Sequence, residues 1–216
     1  AGTGNVLQQL TTNGGDPHAA IDSLSAGGGT SIPGGLYEGL TTLDAGLTRN
    51  GPPAAPHVMM VLTDGDQTAA GDPVAAADQV KATGATLFAV GFGGARVDTL
   101  NAMASSPSST FAIKQANLAA LTAYFTTGAG NFCDLVTNSQ PPASPSPPPA
   151  SLPPPAPPRA PLCDAFMELS LVLDVSGSMG GVIGELKDFA HSIIDQFVLE
   201  QTSGTRVSIT SFAWTR

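Results

Sequence analysis

The chain has 216 residues, of which 42% are apolar and only 12% are charged, and its 17 acidic against 8 basic residues give a formal net charge of −9. A nucleic-acid surface needs clustered lysine and arginine to displace counterions. The charge balance therefore argues against a nucleic-acid partner, and equally against an anionic membrane surface. No apolar run approaches the roughly 18–20 residues that span a bilayer, so we expect no membrane insertion. No basic-then-apolar signal sequence opens the chain.

A proline-rich stretch divides the chain in two. Twelve of the 19 prolines lie between Pro141 and Pro161, and such a run adopts extended polyproline II structure because it lacks backbone donors. We interpret residues 138–162 as a semi-rigid linker, which would also suit hydroxylation, O-glycosylation or recognition by proline-binding domains. Its serine–proline and triple-proline tracts resemble the spacers of plant and green-algal wall glycoproteins, which suggests an extracellular or cell-wall matrix location.

Before the linker, strand and helix patterns alternate. Short, continuous apolar runs predict buried strands at 57–63 and 86–91, and a further strand is expected at 110–114. Capping residues, proline in a first turn and apolar spacing predict the helices. A short helix is expected to start at Asp16-Pro17. Further helices are expected over 33–47, from Asp72-Pro73 to Gly84, over 96–104 and over 117–127.

After the linker, the pattern is strand, helix, strand. The run 167–175 is typical of a strand buried on both faces, and 206–213 predicts another. Between them, apolar residues from Ile183 to Phe197 recur at helical spacing. Alternating strands and helices predict an α/β fold, a Rossmann-like, doubly wound and mainly parallel sheet flanked by helices. Ligands of such sheets sit beyond the carboxyl ends of the strands.

Two of the predicted strands end in an aspartate. Asp174 is followed at alternate positions by Ser176 and Ser178, and Asp64 follows the strand at 57–63. A glycine-rich loop places Thr30 just before a helix. Two carboxylates and three hydroxyls at one sheet edge are hard oxygen ligands, which suit Mg²⁺ or Mn²⁺ and require no thiol or imidazole.

The three segments DVSGSM, GGGTSI and VMMVLTDG together resemble the von Willebrand factor type A domain with its metal-ion-dependent adhesion site. The resemblance implies that Ser176, Ser178 and Thr30 coordinate the ion directly, and that Asp174 and Asp64 act mostly through bound water. It also implies that the open coordination position accepts a carboxylate from a protein ligand, such as a matrix protein. The implied function is metal-dependent adhesion in an extracellular or cell-wall protein.

The order of these segments departs from that of the family, in which the DxSxS strand comes first. Residues 1–137 correspond to the C-terminal portion of such a domain and residues 163–216 to the N-terminal portion. The chain is then either an excerpt of a tandem array, which we favour, or a circular permutant. In both cases we expect the two portions to close into one domain, because each alone leaves buried strands uncovered. A domain-swapped dimer would satisfy the same surfaces.

Cys133 and Cys163 bracket the linker. In extracellular members of the family the two ends of the domain lie close together and are often joined by a disulfide. If the portions close into one domain, the resemblance implies that Cys133 and Cys163 are neighbours that can bond. In a tandem array each would pair within its own domain, and two unrelated buried thiols are a further alternative.

Enzymatic interpretations are less well supported. The segment 91–96 resembles a dinucleotide-binding loop, but Arg96 stands where the third glycine belongs, so we predict a tight turn. A nucleophile elbow around Ser176 would need glycine at the position of Asp174. We therefore predict a binding module rather than an enzyme. The alternative is a structural array protein, in which the metal only stabilises loops and the proline-rich segments act as spacers.

The remaining candidate residues have ordinary roles. His18 lies in a first helical turn, His57 at the start of a strand and His191 on a polar helix face, and none has a metal-ligand partner at a useful spacing. We interpret Asp66 as a turn residue or an outer-sphere neighbour of the metal. Trp214 is expected to cover a sheet edge.

Overall fold

Six strands form a single sheet in the computed structural model, which describes residues 3–46, 55–127, 130–138, 162–200 and 204–214. Most of the predicted linker and the last residue of the predicted 33–47 helix lie outside the described residues. In chain order the strands are β1 (Thr3–Thr11), β2 (His57–Thr63), β3 (Thr86–Phe92), β4 (Ala112–Gln115), β5 (Met167–Asp174) and β6 (Thr205–Ala213).

The strands lie in the order β1-β6-β5-β2-β3-β4. All neighbouring pairs are parallel except β1 and β6, which are antiparallel, with Thr3 opposite Ala213. The central strand β5 is buried along its whole length, as its continuous apolar run predicts. Its neighbours are β6 from the same side of the proline-rich stretch and β2 from the other side. Strands from before and after that stretch therefore form one sheet.

Helices flank the sheet in two groups. One group packs α2 against α3 and α3 against α4, and the other packs α8 against both α1 and α6. The helices are α1 (Gly15–Asp22), α2 (Ile32–Gly46), α3 (Pro73–Ala82), α4 (Val97–Met103), α5 (Ser108–Phe111), α6 (Leu118–Thr126), α7 (Phe132–Asn138) and α8 (Ile183–Ile194), with a 3-10 turn at Gly177–Gly181. None of the helices that the structure describes has the length and apolarity to cross a bilayer.

The α/β prediction is confirmed, and the predicted capping explains where two helices begin. The Asp72 side chain accepts from the Val74 backbone N–H at 2.9 Å, and the Asn117 side chain accepts from that of Ala120 at the same distance. Both bonds satisfy helix N–H groups that have no partner within the helix.

Several boundaries differ from the expectation. Residues 108–111 form the short helix α5, so the strand that we predicted at 110–114 begins only at Ala112. The helix that follows β5 ends at Ile194, before the predicted apolar pattern ends at Phe197. The predicted linker begins at residue 138, but α7 extends to Asn138.

A disulfide joins Cys133 of α7 to Cys163, with Cα atoms 5.6 Å apart. The pairing implied by the family resemblance is thus confirmed. Cys163 is also fixed through its backbone, since its N–H donates to Gln196 at 2.6 Å and its carbonyl accepts from Val198 at 2.9 Å. The bond closes the chain across the proline-rich stretch, from the end of the first portion to the start of the second.

We expect the double variant Cys133→Ser/Cys163→Ser to be less stable by about 3–4 kcal/mol, because the bond removes loop-closure entropy from an unfolded loop of about 30 residues. Thermal melts of the variant and of the wild type with and without reductant test this. The reduced wild type should have the same melting temperature as the variant. Unchanged melting temperatures in both would contradict the expectation.

Close packing of α2 on the sheet requires glycine at position 35. A Cβ atom there would lie 2.8 Å from Val172 Cγ1 and would also meet the ring of Phe212. We expect Gly35→Ala to destabilise the fold by about 1–3 kcal/mol through overpacking. The matched control is Gly184→Ala in α8, where no atom lies within 4 Å of an added Cβ, and which should gain up to about 1 kcal/mol from helix propensity. Denaturant unfolding should separate the two variants, and equal effects would contradict this packing argument.

Candidate metal centre

The carboxyl ends of β5 and β2 meet at one edge of the sheet. The register pairs Leu62 of β2 with Leu173 of β5, so the residues that follow each strand lie side by side. The sequence places Asp174 at the end of one strand and Thr63-Asp64 at the end of the other. The parallel pairing of the two strands is therefore what brings the two predicted aspartates together.

Asp174 is completely buried and its carboxylate accepts two hydrogen bonds. Oδ1 accepts from the backbone N–H of Ser176 at 2.8 Å, and Oδ2 accepts from Thr63 Oγ1 at 2.7 Å. Burial raises the pKa of Asp174 above its usual range because desolvation disfavours the charged form. Hydrogen bonds from the Ser176 N–H, the Thr63 hydroxyl and the Ser176 hydroxyl lower that pKa, and the nearby charge of Asp64 raises it.

Hydroxyl groups connect the DxSxS turn to Asp64. Ser176 Oγ lies 3.0 Å from Ser178 Oγ, and Ser178 Oγ donates to Asp64 Oδ1 at 2.8 Å. Ser176 is buried, whereas Ser178 lies in the exposed 3-10 turn and Asp64 is partly exposed. The polar groups thus lead from a buried carboxylate to the surface.

The glycine-rich loop lies against this turn. Gly28 has φ +75°, a left-handed conformation that favours glycine. Its carbonyl accepts from the Gly177 N–H at 2.8 Å, and the Gly27 N–H donates to the Val175 carbonyl at 2.8 Å. Gly29 forms an antiparallel bridge with Trp214. Trp214 therefore holds the loop at the end of β6.

Thr30, the fifth predicted ligand, is fixed between this loop and the segment after β2. Its N–H donates to Thr68 Oγ1 at 2.7 Å, and its carbonyl accepts from the N–H groups of Thr68 and Ala69 at 3.1 and 3.0 Å. The side chain of Gln67 caps the next helix, since its Oε1 accepts from the Ile32 N–H at 2.7 Å. Thr30 is 4% exposed, so its position is well defined.

The structure therefore joins four of the five predicted site residues in one hydrogen-bonded chain and places Thr30 on the loop packed against it. Sequence reasoning missed the contribution of Thr63, Gln67 and Thr68. The polar run TDGDQT after β2 was the available signal, because polar residues beyond a buried strand are available to hold neighbouring loops. Asp66 takes part neither in this hydrogen-bonded chain nor in the bonds that hold Thr30, and it lies exposed in the turn.

The donor set suits a hard divalent cation. The hydroxyls of Ser176 and Ser178 and the Asp64 carboxylate follow one another at hydrogen-bond distance, and the Asp174 carboxylate accepts from the Ser176 N–H. A cation among these groups would offset the repulsion between the two carboxylates. Among the described residues no group of three or more His, Cys, Asp or Glu side chains is arranged to hold an ion. A cation here would thus depend on hydroxyl ligands, which favour Mg²⁺ or Mn²⁺ over Zn²⁺.

A family model described as the von Willebrand factor type A domain matches residues 5–127, more than half of the chain. The chain belongs to this family. Type A domains mediate protein–protein interactions and adhesion, so the chain is a protein-interaction module. The match includes Thr30 and Asp64 and ends before the DxSxS turn. No curated protein and no solved structure matches the chain significantly.

We expect Asp174→Asn to raise the stability of the metal-free domain at neutral pH. A raised pKa in the folded state means that the fold binds this proton more tightly than the unfolded chain does. The contribution of Asp174 to the free energy of unfolding is therefore largest below the unfolded-state pKa of 3.8. It is lost as the pH rises through the higher pKa of the folded state. Asparagine keeps the acceptor for Ser176 without the buried charge.

Melts of wild type and Asp174→Asn in a chelator, from pH 4 to 8, measure this difference. The variant should melt higher at pH 7.5, and its advantage should shrink as the pH falls. A variant that is less stable than wild type throughout would contradict the assignment of Asp174 as a buried charge that costs stability.

Proposed function

We propose that this type A domain binds protein ligands through a divalent cation, Mg²⁺ or Mn²⁺. Ser176, Ser178 and Thr30 would be the direct ligands, and Asp174 and Asp64 would act mostly through water. When bound, the ion supplies an electrophilic centre that accepts a carboxylate of the partner. Because the three direct ligands are uncharged hydroxyls, they leave the positive charge of the ion available to that carboxylate.

The observation that carries this proposal is the graded exposure of the hydrogen-bonded chain. Asp174 is completely buried and fixed by donors, while Ser178 and Asp64 at the other end reach solvent. The buried end is rigid, which holds the donor atoms in place, and the outer end is accessible to an acidic side chain. Pre-organised groups of this kind bind without an additional ordering cost.

We propose that the role is binding rather than catalysis. The Ser176 hydroxyl lies 3.0 Å from that of Ser178, which in turn donates to Asp64, so it belongs to a series of oxygen groups around the proposed ion. Asp174 is occupied by the Ser176 N–H and the Thr63 hydroxyl, so its carboxylate is a structural acceptor. Both contacts suit a site that holds an ion in a fixed geometry.

An extracellular or cell-wall matrix setting is part of the proposal. The Cys133–Cys163 disulfide supports it, because such bonds persist in oxidising compartments and are rare in the cytosol. The proline-rich composition of residues 138–162 is typical of wall-protein spacers. The partner would then be a matrix protein that presents a glutamate or aspartate.

A structural role for the metal is the second candidate. The five site residues come from both sides of the proline-rich stretch, so an ion bound there would also hold the two portions together. In that case the metal would stabilise the fold without contributing to partner binding.

Peptide arrays distinguish the two roles. Immobilised peptides with a central Glu or Asp, and matched peptides with Gln or Asn, would be probed with the domain in Mg²⁺, in Mn²⁺ and in chelator. We expect binding to acidic peptides only with metal, and at least a tenfold loss in Ser178→Ala and Asp174→Asn. Ser192→Ala is the control, because Ser192 Oγ only donates to the Phe189 carbonyl within α8.

Circular dichroism in chelator should show an intact fold. If metal raises the melting temperature but peptide binding is the same with and without it, the structural role is correct and the adhesion role is wrong.

A further inference from the structure

Four side chains form a crosswise set of contacts between α1 and α8. Each helix supplies a histidine that is followed four residues later by an aspartate: His18 and Asp22 from α1, and His191 and Asp195 from the end of α8. His18 Nε2 lies 3.1 Å from Asp195 Oδ1, and His191 Nε2 lies 3.0 Å from Asp22 Oδ1. Each histidine thus pairs with the aspartate of the opposite helix.

The two histidines meet each other through their remaining nitrogens. Nδ1 of His18 contacts Nδ1 of His191, while the ring centroids are 4.5 Å apart and the ring planes differ by 14°. Since the nitrogens touch and the centroids stay this far apart, the nitrogens lie on the line between the rings. The in-plane lone-pair positions of the two Nδ1 atoms therefore point at each other.

Two neutral histidines do not have enough N–H hydrogens to make this contact between the Nδ1 atoms a hydrogen bond. A neutral imidazole carries one N–H, and donation from Nε2 to an aspartate uses it. With both histidines in that tautomer, two lone pairs face each other at contact distance and repel. A positive centre between the two Nδ1 atoms, either a third proton or a metal ion, removes this repulsion.

The surroundings favour a metal ion. In metal sites, a histidine ligand commonly donates its other ring N–H to a carboxylate, which fixes the tautomer and raises the basicity of the ligating nitrogen. Both histidines have this arrangement. Their side chains are 32% and 24% exposed, so an ion could enter from solvent. Binding through the roughly 2.0–2.1 Å bonds of zinc would move the two Nδ1 atoms apart to about 3.3 Å.

We propose that His18 and His191 form a second metal site, which takes an imidazole-preferring divalent ion such as Zn²⁺ or Cu²⁺ and joins α1 to α8. Imidazole nitrogen selects these ions over Mg²⁺, which prefers oxygen ligands. In the described residues no group of three or more His, Cys, Asp or Glu side chains converges on one ion, so we expect no third side chain to bind it. Two imidazoles and water therefore complete the coordination, and Asp22 and Asp195 orient the rings from outside.

Sequence spacing had given these histidines no metal-ligand partner. The structure changes that interpretation, because His18 and His191 are far apart in the chain and meet only when α1 packs against α8. His57, at the start of β2, takes no part in this pair.

Calorimetric titration of metal-stripped protein with Zn²⁺ at pH 7.5 tests the proposal. We expect one ion per chain and a higher melting temperature, since ligands that bind the native state stabilise it. His18→Gln and His191→Gln should each lose affinity at least tenfold, while His57→Gln should behave as wild type. Asp22→Asn and Asp195→Asn should weaken binding by roughly 10- to 100-fold, as is typical of residues that orient a ligand.

The electron paramagnetic resonance spectrum of bound Cu²⁺ gives a readout that a general loss of folding would not produce. Hyperfine coupling should report two imidazole nitrogens in wild type and one in each single histidine variant. Asp174→Asn should leave the Zn²⁺ response unchanged, so failure of the Mg²⁺ site would not be mistaken for failure of this one. Equal Zn²⁺ affinity in the double histidine variant would overturn the proposal. So would the absence of binding by folded wild type, which would mean that a shared proton fills the contact.

Discussion

Parallel pairing of β2 with β5 is the interaction on which the candidate site depends. Asp174 ends β5 and Asp64 follows β2, and the register that sets Leu62 beside Leu173 places the two aspartates at one edge. A shift of one residue would turn every side chain of a strand to the other face of the sheet. Burial of β5 along its whole length specifies the register because its two buried acidic groups must keep their partners, Asp174 with Thr63 of β2 and Glu168 with Arg206 of β6. The packing of the core therefore determines the geometry of the polar edge.

The same burial creates an electrostatic cost. Asp174 lies in a site from which water is excluded, and its raised pKa records the loss of hydration together with the nearby charge of Asp64. Donors from Ser176 and Thr63 offset part of that cost. What remains is a buried carboxylate that also feels the negative charge of Asp64. In the proposed metal site a cation would offset this repulsion, so affinity for an ion and reduced stability without it would have one physical origin.

Sequence patterns predicted the parts of the structure that local chemistry decides. Continuous apolar runs gave the bounds of β2 to the residue, and Asp72 and Asn117 marked two helix starts. Strand β1 was missed because it is a polar edge strand whose register shifts twice, so it has no regular alternation. The links from Thr68 to Thr30 and from His18 to His191 were missed for a different reason. They join residues that are distant in sequence, and spacing arguments compare only residues that are near one another.

Besides the strand pairings, three side-chain links connect the portions of the chain before and after the proline-rich stretch: the Cys133–Cys163 bond, the hydrogen bond from Ser178 to Asp64 in the candidate metal centre, and the His18–His191 pair. Each is formed only when β5 and β6 join the sheet with β1 and β2. Any ligand that binds one of these contacts therefore stabilises the same closed state, and by linkage it favours the others. The disulfide acts differently, because it limits the unfolded chain and requires no ligand. Under the two metal-site proposals, the disulfide would keep the domain closed covalently while each proposed ion added a further link between the same two portions.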